Sequence, residues 1–175
     1  MEKKTKNLKE ASFTQAINIS AQWCKDWGED FLSEEVLADR ISELFKTKNG
    51  LRGFFAYALS DKDCFLLDKL PFSLMFKLNE GGDPIVEIVV KNLIMSSAQI
   101  IIDRRDNNPE YETTSENISE RCKAILKLLE TKSVTKSVNQ VLRDLDDMGN
   151  SFDNSVKYDS EQKEFIKKQI FDIAH

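Results

Sequence analysis

The chain has 175 residues, with 41% hydrophobic and 31% charged, the balance of a globular protein with a core of its own and no need of disulfide staples. A net charge of −5 and a pI near 5.1 argue against a nucleic-acid binder, which carries a basic footprint. Six glycines and three prolines are too few for the many turns of an all-β fold.

The lysine-rich start reads as a flexible segment over residues 1–10, with a single helical domain expected over 11–175. No apolar stretch follows Lys3 and Lys4, so no secretory signal is expected. Ser12 stands at an N-cap position before Phe13, Ile17, Ala21 and Cys24, which recur at helical spacing, and Gly28 is a stop. Ser33 caps a second helix carrying Val36, Leu37, Ile41, Leu44 and Phe45. Asn49-Gly50 reads as a turn. Residues 51–60 (LRGFFAYALS) place Phe54, Phe55, Ala58 and Leu59 on one helical face. Phe72, Leu74, Phe76 and Leu78 alternate as a strand would, but no second alternating run exists to pair with them. A helix beginning at Pro71 and ended by Gly81-Gly82 is the expectation.

Residues 83–103 (DPIVEIVVKNLIMSSAQIIID) are too hydrophobic all round for a surface helix. They read as the buried centre of the fold, with Asp83 as N-cap and Pro84 at the first helical position. Glu87, Lys91 and Asn92 interrupt the run, so no membrane span is expected. After the turn formers of 103–109, Ser115 is read as the cap of a helix bearing Ile118, Cys122, Ile125 and Leu129. Val134, Val138, Val141, Leu145 and Met148 form a stripe suited to a helix–helix seam, either within the core or between two copies of the chain. A polar connector at 149–159 precedes a last helix from Ser160 through Phe165, Ile166, Ile170 and Ile173. The expected fold class is therefore all-α, a single globular domain of seven or eight helices around a central hydrophobic helix.

The only histidine is His175, which removes Ser-His-Asp and Cys-His nucleophile pairs and histidine-ligated metal sites. No G-x-G-x-x-G or P-loop sequence is present, and the GxxG at Gly50–Gly53 lacks the strands of a KH fold. Cys24, Cys64 and Cys122 are widely spaced and read as reduced thiols packed as small hydrophobes in a cytoplasmic protein. Glu34-Glu35 and Asp144, Asp146 and Asp147 read as solvated helix faces. No catalytic residue, metal ligand or cofactor is assigned.

Two candidate sites remain. Asn92, Ser96, Gln99 and Asp103 are spaced 4, 3 and 4, and so share a narrow strip of the central helix, with Arg104 and Arg105 at its end. The strip is either an edge touching solvent or a neighbouring helix, or the lining of a cleft whose arginines receive an anion. Arg52, Gly53, Phe54, Phe55 and Tyr57 form the second candidate, an interaction surface, set against a reading of Phe54 and Phe55 as core with Arg52 lying over it.

Arg52-Gly53-Phe54-Phe55 and Val90-Lys91-Asn92-Leu93-Ile94-Met95-Ser96-Ser97 resemble a small helical family of cyanobacterial proteins of unknown function, over about Leu37 to Leu129. The resemblance implies a cytoplasmic protein of a phototroph and names no substrate. Residues 99–102 stand where that family is expected to carry small residues and a histidine before the arginine pair, which weighs against histidine chemistry.

The leading functional expectation is a non-enzymatic binding or regulatory module engaging a protein partner or a second copy. A small-molecule binder, or an atypical enzyme using the polar strip, is the alternative. A transcription regulator built on the second and third helices comes last, since LRGFFAYALS offers DNA only Arg52.

Overall fold

The computed structural model describes residues 8–147 and 157–173. The start of the chain, Met148, most of the 149–159 connector and His175 lie outside the described residues. Within them the chain is all-α: a 3₁₀ turn at Leu8–Glu10, then α1 (Phe13–Gly28), α2 (Glu34–Leu44), α3 (Lys48–Ser60), α4 (Phe72–Glu80), α5 (Asp83–Arg105), α6 (Pro109–Leu126), α7 (Thr131–Asp146) and α8 (Ser160–Phe171). No strand occurs among the described residues. The backbone divides into two compact units, Met1–Gly81 and Gly82–His175, at the Gly-Gly pair that ends α4.

In the first unit α1 packs on α3, and α2 packs on α4. Ser12 caps α1 with a reciprocal box: its Oγ accepts from Gln15 N at 3.2 Å, and Gln15 Oε1 accepts from Ser12 N at 2.9 Å. Ser33 caps α2 as expected. The Asn49-Gly50 turn is not observed. Thr47 caps α3 by accepting from Gly50 N at 3.0 Å, which draws both residues into the first turn of the helix. Gly50 lies so near the Leu44 carbonyl that a side chain has no room there. Gly53 is needed for packing: a Cβ there would meet Ala16 Cβ at 2.5 Å and Phe13 O at 2.9 Å, so its absence lets α1 and α3 approach. Phe54 and Phe55 are fully buried; Phe45 meets Phe54 edge-on at 5.4 Å and stacks on Phe55 at 6.0 Å between ring centres, and Phe54 meets Phe55 edge-on at 5.1 Å. The run at 72–78 is helix, as expected.

In the second unit α5 packs against α6, α7 and α8. Its N-cap is Gly82, at φ 62° and ψ −143°, a conformation that side chains rarely adopt; Asp83 and Pro84 therefore move one place into the helix. Ile85, Val86, Val89, Val90, Leu93, Ile94, Ile100 and Ile101 are buried, each side chain contributing about 1.5–3 kcal/mol. One strip, through Glu87, Lys91, Met95, Gln99 and Ile102, stays exposed. The helix is long and apolar enough to cross a membrane by composition, yet 61% of that window is buried within the chain. Ser115 does not cap α6. That helix starts two turns earlier, at Pro109 after Asn108, because the proline suits the first turn and Asn107 takes the positive φ that the α5–α6 turn needs. On α7, Val134, Val138, Val141 and Leu145 are all buried, so the seam faces the interior of its own unit.

Candidate functional site

The polar strip of α5 meets two different fates. In its first half the side chains turn back on their own helix: Asn92 Nδ2 donates to Ile88 O at 2.8 Å and Ser96 Oγ to Leu93 O at 3.1 Å. In its second half they cross-link helices. Asp103 is 5% exposed, and its carboxylate accepts from Gln99 Nε2 at 2.8 Å and from Ser115 Oγ of α6 at 3.0 Å. A buried carboxylate without such donors is costly, so Ser115 is a requirement of Asp103 rather than a free hydroxyl. One turn further along α6, the buried Ser119 Oγ has no hydrogen-bond partner.

The two arginines diverge. Arg104 bonds Glu112 and Glu116 of α6 and lies over the Phe165 ring of α8, 5.3 Å from its centre. Arg105 holds Asp159 with two bonds, of 2.7 and 3.2 Å, and also Glu161, at the start of α8. The Arg105 guanidinium, together with the Gln162 backbone N–H, holds the Asp159 carboxyl down to about 2. Gln162 then reaches from α8 to donate to Ala98 O at 3.3 Å. At the other end of α5, Asp83 accepts from Ser133 Oγ at 2.7 Å and pairs with Lys136 at 2.8 Å, which fastens the first turn of α7; the Lys136 ammonium and the Ser133 hydroxyl hold that carboxyl below its usual range. Asp103 and Arg104 thus fasten α6 to α5, while Arg105 fastens the start of α8 to it.

The second sequence candidate is divided. Phe54 and Phe55 are core, Gly53 is a close approach between helices, and Tyr57 is half-buried. Arg52 is exposed, with its guanidinium 5.3 Å from the centre of the Phe13 ring.

A different aromatic surface emerges on the first unit. Phe72 and Phe76 lie one turn apart on α4 and are 73% and 55% exposed, while Leu74 and Leu78 of the same helix are buried at 0% and 1%. Phe65, in the segment leading into α4, is 61% exposed. The signal was present in the sequence. The alternation that resembled a strand is, at 100° per residue, a helix with two apolar faces, and the core of the unit takes only one of them. No group of three or more residues suited to a metal ion occurs among the described residues.

A family model described as uncharacterised conserved protein UCP020893 matches residues 12–173. No curated protein and no solved structure matches the chain.

Proposed function

The chain belongs to that uncharacterised conserved family, and from its geometry we propose that it is a non-enzymatic helical binding module that engages a protein partner through the aromatic face of α4. The observation that carries this reading is the pair Phe72 and Phe76, two large rings left in water on a helix whose opposite face already supplies the core contacts. Exposed aromatics of this kind are costly in an isolated protein and are the side chains that dominate binding energy at interfaces. The small-molecule reading of the polar strip draws less support, because Asp103, Arg104 and Arg105 are engaged by neighbours in the same chain. The likeness of residues 52–55 and 90–97 to a cyanobacterial family supports a cytoplasmic protein of a phototroph.

Photo-crosslinking residues placed at positions 72 and 76 in the source cell test this. The expected result is one shared cross-linked protein from both positions and none from a control at Glu110, an exposed polar position. Phe72→Ser with Phe76→Ser should then weaken that partner's affinity by at least about tenfold, since truncating a hot-spot aromatic costs about 2 kcal/mol or more. An identical adduct pattern from all three positions rules the face out.

A further inference from the structure

The aromatic face of α4 does not stand alone. Phe72, Phe76 and Glu80 follow one another at a spacing of four residues, so two exposed rings and an exposed carboxylate share one strip of the helix. On α2, which packs beside α4, Glu35, Asp39 and Glu43 repeat the same spacing. Lys77 joins the two strips: its ammonium lies 3.4 Å from the Asp39 carboxylate and 3.4 Å from that of Glu80. Those two carboxylates, Glu80 foremost, hold the Lys77 ammonium above its usual range.

The flank of the rings is therefore acidic. Glu35, Asp39, Glu43 and Glu80 meet two ammonium groups, Lys77 and, on Glu43, Lys46, which leaves a net charge of −2. Arg40, the only cation within α2, is turned away over the Trp23 ring of α1, 5.9 Å from its centre. Asp68 and Lys69, exposed just before α4, cancel each other. Rings one helical turn apart match side chains one turn apart on another helix. The carboxylates beside them select the charge of that helix, favouring cations and repelling anions. A second copy seated on the same face would bring two acidic strips together, and an anionic lipid surface would be repelled as well.

We propose that the occupant of this face is a basic amphipathic helix of a partner protein, with apolar side chains over Phe72 and Phe76 and lysine or arginine side chains along Glu35, Asp39 and Glu80. Such an occupant presupposes that the α4 face docks a partner, and adds the shape and charge of what docks. The rings supply most of the affinity. The carboxylates, exposed and screened by salt, supply the choice of partner and speed the encounter. Lys77 is held by two carboxylates, so it gives one up to an incoming cation and keeps the other.

The test uses the full chain, fluorescence anisotropy and two synthetic peptides of about 20 residues, long enough to be helical, with leucines at the same positions and either lysine or glutamate at the others. The leucine–lysine peptide should bind and the leucine–glutamate peptide should not. Phe72→Ser with Phe76→Ser should abolish the binding. Glu35→Gln, Asp39→Asn and Glu80→Gln combined should weaken it about tenfold, since one exposed ion pair shifts an equilibrium by a factor of about 1.5 to 5. Glu110→Gln, Glu164→Gln and Asp106→Asn combined, an equal change of charge on exposed residues of the second unit, should leave it within about twofold. Every residue changed is exposed, so each variant keeps the fold. Equal binding of the two peptides, or preference for the glutamate one, lost in either case in the phenylalanine double variant, overturns the choice of charge and leaves the docking face standing. Lysine-peptide binding that survives the double variant overturns both. Binding of neither peptide, or equal losses in the two triple variants, overturns the basic helix as occupant, and cross-linking at positions 72 and 76 then decides the docking face by itself.

Discussion

At the scale of single residues, two positions show how little freedom the folded chain leaves. Gly53 has no room for a methyl group against Ala16 and the Phe13 carbonyl. Gly53→Ala should force α1 and α3 apart and destabilise the protein by about 1–3 kcal/mol, the ordinary range for overpacking, read as a lower denaturation midpoint at unchanged slope. Asp103 shows the same economy in polar form, since its buried carboxylate relies on Gln99 and Ser115. The sequence spacing placed Gln99 and Asp103 on one strip because both lie on one helix. It was silent on Ser115, which reaches Asp103 only because α6 returns along α5.

At the scale of elements, caps and turns were the most legible features, because their chemistry is local. Ser12, Ser33, Pro71 and the final helix at Ser160 all stand where the sequence placed them. The misses at Asn49-Gly50 and Ser115 have a physical cause as well. Thr47 and the Asn108-Pro109 start compete for the same residues and win, the first by a side-chain cap and the second because proline needs no amide partner at a helix start. The docking of α8 carries a pH signature. In the folded chain Asp159 falls from 3.8 to about 2, chiefly through Arg105. A carboxylate held below its unfolded value contributes stability in full above about pH 4, and that contribution is lost as the pH falls toward about 2. Amide-exchange protection at Ile166 and Ile170, compared with that of α6, should therefore drop across this window, and in Arg105→Ala the drop should be much smaller. Because Arg105 and Asp159 are both about half exposed, added salt should lower the protection at neutral pH in the same direction.

At the scale of the whole molecule, a net charge of −5 and a third helix whose Gly53, Phe54 and Phe55 are buried leave little to offer a DNA groove. Fluorescence anisotropy with duplex DNA at low ionic strength should show no salt-dependent binding; a steep salt slope would bring back the regulator alternative. Composition, the scarcity of turn residues and the helical periods sufficed to determine the all-α class, most helix starts and the apolar character of α5, because each depends on neighbours within a few residues along the chain. Tertiary structure alone decided which apolar faces are used. It buried the valine stripe of α7 and the Phe54–Phe55 pair, left Phe72 and Phe76 in water, and spent the polar end of α5 on α6 and α8. Periodicity tells which residues share a face, whereas burial depends on what the rest of the chain brings against that face.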